Sequence, residues 1–428
     1  MTSTRTASAL EQYTLDNGLR VVVQADHTAP AVAVNLWYHV GSRHEQPGRT
    51  GLAHLFEHLM FQGSANVASG EHFSLLEPLG ARLNATTSFE RTNYFETVPA
   101  GAFELALWLE ADRMATLPDA LDQLNLDRQR DVVKNERRQR YDNQPYGTSW
   151  EELFAATFPD DHPMHHRPIG SMADLDAVTL TDCADFFHRH YAPANAVLSV
   201  VGDVSPVDAR RAVERYFATI AAIAAPDQPS TPSLGPNLTP RHIEMAEDVP
   251  VPALYRMWRS APDGTSQADA TDLALQILAG DEASRLIRAI VHRDQLATNV
   301  VGQLFRFVST DSAAALIVNA DPGADLDRLA ARIDEELEAF ARSGPTEEEL
   351  RRAIAMLGRQ RLDETADYAG RADRLSRYAS LYGDAALADA AADAQRGITV
   401  EQVREAARQL LPEHATQLRY PISGGDRA

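Results

Sequence analysis

The sequence predicts an α+β protein made of two copies of one unit of roughly 200 residues, each a sheet covered on one face by helices. Three observations carry that prediction. The chain has 428 residues and a mass of 47.0 kDa, enough for two domains with cores of their own. A stretch with five prolines, APDQPSTPSLGPNLTP (Ala225–Pro240), lies near its middle and reads as an extended linker. On either side of it the same order of segments occurs twice, so domains over residues 1–224 and 241–428, joined by 225–240, are expected.

The segments pair as follows. AVAVNLWYHVGS (Ala31–Ser42) alternates as a strand does and precedes an apolar helix; VPALYRMWRSAP (Val251–Pro262) precedes ATDLALQILAGDEASRLIRAIV (Ala270–Val291). NYFETVPAGAFELALWLEADRM (Asn93–Met114) is echoed by ALIVNADPGADLDRLAARIDEEL (Ala315–Leu337). LTDCADFFHRHYAPANAVLSVV (Leu180–Val201) is echoed by TVEQVREAARQLLPEHATQLRY (Thr399–Tyr420), with Pro193 and Pro412 in register. Periodicity alone could produce one such match; three in the same order point to duplication.

The helix after the first strand, GLAHLFEHLMFQGS (Gly51–Ser64), is unusual in what it carries. Its Leu, Ala, Met and Phe favour or tolerate helix, and Gly63 stands where a C-cap glycine is expected. His54 and His58 are four apart and share a face, with Glu57 between them. Two imidazoles at that spacing can reach one Zn²⁺ at about 2.0–2.1 Å. A lone histidine on such a face is ordinarily a satisfied core residue, but an unpaired carboxylate among Leu, Phe and Met is expensive. The second copy has LALQILAGDEAS at the equivalent place, with neither imidazole, so the fold does not require them.

A formal charge of −21, from 40 basic and 61 acidic residues, argues against nucleic acid as a partner and favours basic or neutral ligands, ordinary solubility being the alternative. The one cysteine, Cys183, allows no internal disulfide and fits a reducing compartment. No stretch reaches the length of a membrane span, and the first twenty residues lack the apolar run of a signal peptide. A cytoplasmic location is expected, or a periplasmic one where a signal peptide has been removed.

His54-Leu55-Phe56-Glu57-His58 is the inverted zincin order, H-x-x-E-H. With LDNGLRVVV (Leu15–Val23), LNATTSFERTNYFETVP (Leu83–Pro99), QRDVVKNERRQRYDNQPYG (Gln129–Gly147) and AVLSVVGDV (Ala196–Val204), it makes nearly the whole chain resemble the pitrilysin and insulinase type of zinc metallopeptidase. The resemblance is greatest to half-length bacterial members similar to the β subunit of mitochondrial processing peptidase. It implies mainly antiparallel sheets and two domains that together form half of a clam-shell chamber.

The third zinc ligand of that family is a glutamate on a second helix, and Glu136 in VVKNERRQR matches it. From this segment alone, a solvated glutamate on a charged helix is the ordinary reading, although Val132, Val133 and Glu136 fall on adjoining turns and could turn the carboxylate inward. Relatives often place another glutamate seven residues earlier, where this chain has Gln129. Neutral His54 and His58 with anionic Glu136 leave one Zn²⁺ site at a net charge of about +1, which acidifies a bound water and polarises a carbonyl. Glu57 is then the general base, not a ligand.

ARLNATTSFERTNYF (Ala81–Phe95) has the content of an exposed strand, whose edge an extended peptide could join. The resemblance puts Asn84, Ala85 and Thr86 at that edge, a plain surface hairpin being the alternative. DHPMHHRPIG (Asp161–Gly170) holds three histidines, but its prolines make it a loop and it is assigned no metal. Active relatives also supply an Arg and a Tyr seven residues apart; in AIVHRDQLATNVV (Ala289–Val301) those positions are Val291 and Thr298, and Arg293 is two residues out of register. The expected function is therefore a zinc endopeptidase cleaving unfolded peptides, as the zinc-bearing subunit of a heterodimer whose paralogous partner provides the Arg and Tyr, or failing that a homodimer. The alternative from another class is a non-catalytic peptidase-like scaffold or assembly subunit, against which the intact His54, Glu57, His58 and Glu136 speak.

Overall fold

The computed structural model describes residues 10–229 and 231–422; the N-terminal residues 1–9, on which part of the signal-peptide expectation rests, lie outside them. The chain forms two compact units. The first takes the chain through Asn135, then Pro168–Pro229 and Leu362–Ala390; the second takes Glu136–Arg167, residues 231–361 and the chain from Ala391 on.

The first unit is built on six strands: β1 (Leu10–Thr14), β2 (Arg20–Ala25), β3 (Ala31–Tyr38), β4 (Arg82–Thr87), β5 (Thr92–Pro99) and β6 (Ala196–Gly202). They lie in the order β1-β2-β6-β3-β5-β4, antiparallel except for the β2–β6 pair. The second unit has β7 (His242–Glu244), β8 (Ala253–Ser260), β9 (Ala297–Phe305), β10 (Ser312–Ala320) and β11 (Thr416–Tyr420), ordered β7-β11-β8-β10-β9 with β7–β11 as its one parallel pair. Strand for strand, β2-β6-β3-β5-β4 corresponds to β7-β11-β8-β10-β9. All three segment pairs read from the sequence fall on equivalent elements: β3 and β8; β5 and β10, each followed by a helix; and a helix leading into β6 and β11. The last pair matches in detail. Thr179 and Thr399 each open their helix with a capping box, and Pro193 and Pro412 each begin a 3₁₀ turn directly before the strand.

Covering helices go beyond one face per sheet. Seven of the eight β3 residues are buried, a run apolar except for Asn35 and of the kind that has both faces covered. The Phe103–Thr116 helix lies on one face, where its Arg113 stacks over Tyr94 of β5 at 4.3 Å. On the other, Val22, Ala33, Trp37, Val197 and Val201 pack against Tyr368, Ala372, Leu375 and Ala379 of the Tyr368–Leu381 helix. In the second unit the Ser149–Thr157 helix packs on β8 and β11, with Trp150 and Phe154 against Phe305 of β9 at 4.9 and 5.3 Å. Each unit thus takes a helix from the other half of the sequence. That is why the units interleave instead of following the consecutive halves 1–224 and 241–428.

Candidate metal centre

The Leu52–Leu59 helix starts where two glycines meet. Gly51 is left-handed (φ 89°), and a Cβ on Gly170 would come within 2.3 Å of the Gly51 nitrogen. The Glu45 carboxylate accepts from the Gly51 and Ala53 N–H groups at 3.0 and 2.7 Å, satisfying donors that the first turn leaves open. Leu52, Ala53, Leu55, Phe56 and Leu59 are buried, and the Phe56 ring sits 4.6 Å from Tyr191. The other face carries His54, Glu57 and His58, all half-buried, with the two imidazoles edge-on at 4.9 Å. The helix ends at Leu59, not at the expected glycine cap: Phe61 and Gln62 tighten the chain onto His58 and Leu59, and Gly63 turns left-handed (φ 111°) only afterwards.

Glu136 lies near the end of the Gln123–Arg137 helix, whose body up to Asn135 belongs to the first unit. Arg130 fixes that helix by donating to the Leu175 and Val178 carbonyls at 2.9 and 2.7 Å, and Lys134 pairs with Asp176 at 2.7 Å. Val133 is buried as expected, whereas Val132 is 45% exposed, so the inward apolar face is narrower than the sequence suggested. His54, His58 and Glu136 each present one ligand atom, all within 4.8 Å of one another, the only such group among the described residues. Ligand atoms on a tetrahedral zinc, at bond lengths of about 2.0–2.2 Å, stand roughly 3.3–3.6 Å apart. Two imidazole nitrogens and a carboxylate oxygen in this arrangement therefore fit a zinc ion after a small contraction. Arg140 donates to Glu136 Oε1 at 2.7 Å, a partner sequence reasoning missed although the i, i+4 spacing was there to signal it.

Beside this group runs β4, an edge strand that among the described residues has a sheet neighbour on one side only. Thr87 Oγ1 donates to Glu57 Oε2 at 2.5 Å, which orients the carboxylate; nothing in the sequence pattern linked these two residues, thirty positions apart. Asn84 is exposed, Ala85 buried and Thr86 half-buried. The Ala85 N–H donates to Asn84 Oδ1 at 2.9 Å, and Thr86 Oγ1 to Asn93 Oδ1 at 2.6 Å.

The residues set aside behave structurally. His162 is buried, stacks on Phe158 at 4.8 Å and bonds Thr310 Oγ1 at 3.1 Å, while His165 bonds the Phe158 carbonyl at 3.0 Å. In the second unit, the Ser266–Ala279 helix occupies the place of the histidine-bearing helix and buries Leu273, Leu275, Ile277 and Leu278. Val291 packs against that unit's apolar core, Thr298 Oγ1 donates to the Asn319 carbonyl at 3.3 Å, and Arg293 pairs with Asp294 at 3.0 Å.

Three further histidines cluster in the first unit without forming a metal site: the His44 ring is 5.8 Å from His39 and 5.6 Å from His190. Burial, followed by the neighbouring Arg43, pulls His44 down to about 3, and burial followed by His44 itself does the same for His190. His39, half-buried, falls to about 4 for the same first reason. Folded-state values below the unfolded value of about 6.5 mean that the unfolded chain takes up protons first as pH falls. Stability is thus complete above pH 6.5 and declines between about 6.5 and 3, by about 2 kcal/mol per fully buried histidine at pH 5. Urea denaturation at pH 7.5 and pH 5 is expected to show a clear drop in midpoint; an unchanged midpoint would contradict the neutral, buried state of His44 and His190.

The chain resembles known proteins over most of its length. Residues 20–166, which contain His54, His58 and Glu136, match the family described as Insulinase (Peptidase family M16). Residues 177–357, which contain the equivalent helix without the two imidazoles, match the Peptidase M16 inactive domain. The chain is 30% identical over 411 residues to an uncharacterized zinc protease of Mycobacterium leprae, covering 93% of this chain and 88% of that one. It is 29% identical over 386 residues to the zinc protease PqqE of Helicobacter pylori, covering 87% and 82%. The crystal structure of a protease from Helicobacter pylori superposes with a TM-score of 0.88 at 25% identity, over 97% of this chain and 99% of that one. With relatives that are named zinc proteases over almost their full length, this chain belongs to peptidase family M16, the insulinase family.

Proposed function

We propose that this chain is a zinc endopeptidase that cleaves unfolded peptides, binding one Zn²⁺ through His54, His58 and Glu136. The observation that supports it most is the convergence of those three ligand atoms on the face of the helix that also carries Glu57. Bound there, zinc would supply Lewis acidity and an acidified water. Glu57, held by Thr87, takes the proton of the attacking water and returns it to the leaving amine. The substrate lies extended along β4, its backbone paired with Ala85 and its neighbours, and Asn84 swings from the Ala85 N–H to the peptide. Substrates of a few tens of residues, small enough to enter a closed chamber, are preferred over folded proteins. Because Val291 and Thr298 can donate neither a charged nor a phenolic hydrogen bond, the working species is a heterodimer with a paralogue that can.

Zinc titration together with a peptide-cleavage assay tests this reading. One zinc per chain is expected, with cleavage abolished by 1,10-phenanthroline or EDTA and restored by Zn²⁺. A chain that binds no zinc, or whose cleavage survives chelation, rules the proposal out.

A further inference from the structure

We infer that Asp373, on the Tyr368–Leu381 helix, is a positioning residue for the edge strand β4, acting through Asn93, Arg91 and Trp37. This rests on the proposed function in assigning β4 to the substrate, though not in the contacts themselves. Asp373 Oδ1 accepts from Trp37 Nε1 at 2.9 Å and Asn93 Nδ2 at 3.1 Å, with Asn35 Nδ2 at 3.4 Å. Trp37, Asn93 and Asn35 are each 2% exposed, so these bonds are sheltered from water. Asn93 is thereby held with its other amide atom, Oδ1, toward β4, where it accepts from Thr86 Oγ1 at 2.6 Å and from Arg91 Nη1 at 2.9 Å. Arg91 closes the circuit: Nη1 donates to the Thr86 carbonyl at 2.8 Å and to Thr86 Oγ1, and its guanidinium lies over the Trp37 ring at 5.4 Å.

The chemistry of an edge strand explains why such a clamp is needed. With β5 on one side and no strand on the other among the described residues, β4 has half the ladder of an interior strand and would fray more readily. An extended peptide pairs with an edge only if its backbone groups are already in line, and disorder there is a cost that binding must offset. Thr86 is held by Arg91 and Asn93 through two of its atoms, the carbonyl oxygen and Oγ1, one residue from Thr87, which orients Glu57. Burial disfavours the Arg91 charge, and the carboxylates of Asp373 and Glu57 face it and restore part of what burial removes. The circuit therefore joins the far end of the chain, 280 residues from Asn93, to the strand beside the general base.

Hydrogen–deuterium exchange tests the clamp without zinc or substrate. Asp373→Ala is expected to speed exchange of the 82–87 amides about tenfold while β2 (20–25) and β9 (297–305) are unchanged, and Asp373→Asn, which keeps an acceptor oxygen, to stay within about threefold of the parent. In peptide cleavage the Ala variant should raise KM about tenfold with kcat nearly unchanged. No acceleration in 82–87, acceleration spread equally over β2, or an Asn variant as impaired as the Ala variant would each overturn the inference. A parent chain that cleaves nothing even with the paralogue present defeats the proposed function instead, and the exchange result still decides the role of Asp373.

Discussion

Glu57→Gln is expected to keep the metal and to lower peptide turnover by about 10²–10⁴, the range a general acid–base residue contributes. The geometry separates the two roles. The three converging ligand atoms belong to His54, His58 and Glu136, while Glu57 is bonded to Thr87 Oγ1. Glutamine has the same shape and retains a carbonyl oxygen for the Thr87 hydroxyl, but its amide has no basic site for a proton at neutral pH. Zinc content of the purified variant should therefore equal that of the parent, and KM should change little because nothing that contacts extended backbone is altered. Glu136→Gln and His58→Ala form the contrast: each removes a ligand and should lose zinc along with activity. Were Glu57→Gln to lose zinc in proportion to its loss of turnover, Glu57 would be a ligand and the division of labour proposed here would be wrong.

The parts of this molecule that could be read in advance are those with a local period or a repeated order. The duplication was legible because β3 and β8, β5 and β10, and β6 and β11 each follow or precede a helix of their own in the same order, with Pro193 and Pro412 in register before the last pair. His54 and His58 were legible because a helix turns i and i+4 to one side. Contacts between distant stretches were not. An amphipathic pattern says that Ser149–Thr157 and Tyr368–Leu381 bury a face, not which sheet receives it, so the exchange of helices between the two halves had no local signal. Glu45 at the start of the histidine-bearing helix, Thr87 on Glu57, and Asp373 behind β4 are polar contacts set by tertiary structure alone. Gly63 shows the limit even of local rules: a left-handed glycine was expected and found, but the helix had already ended at Leu59.

Mixing the purified chain with a paralogue that carries the missing Arg and Tyr is expected to raise its peptide turnover by about 10²–10³, the usual effect of one oxyanion donor. The positions that would bear those groups are settled in the second unit. Val291 packs into the apolar core there, and Thr298 is occupied with the Asn319 carbonyl and lacks the reach of a tyrosine. Arg293, the nearest guanidinium in the segment, is engaged with Asp294 and Glu336 at 3.0 and 3.7 Å. If the proposed roles of Glu57, His54, His58 and Glu136 hold, a chain without such donors should turn over slowly by itself, and adding them in trans should change kcat more than KM, because an oxyanion donor acts mainly on the transition state. The donor set can also be supplied within the chain: Val291→Arg with Thr298→Tyr would bring both groups, although Val291→Arg places a charge against an apolar core and can cost stability. The informative comparison is therefore dilution. Activity of the mixed sample should fall on dilution as subunits separate, whereas full activity of the isolated chain, undiminished on dilution and indifferent to the paralogue, would show that this chain needs no partner.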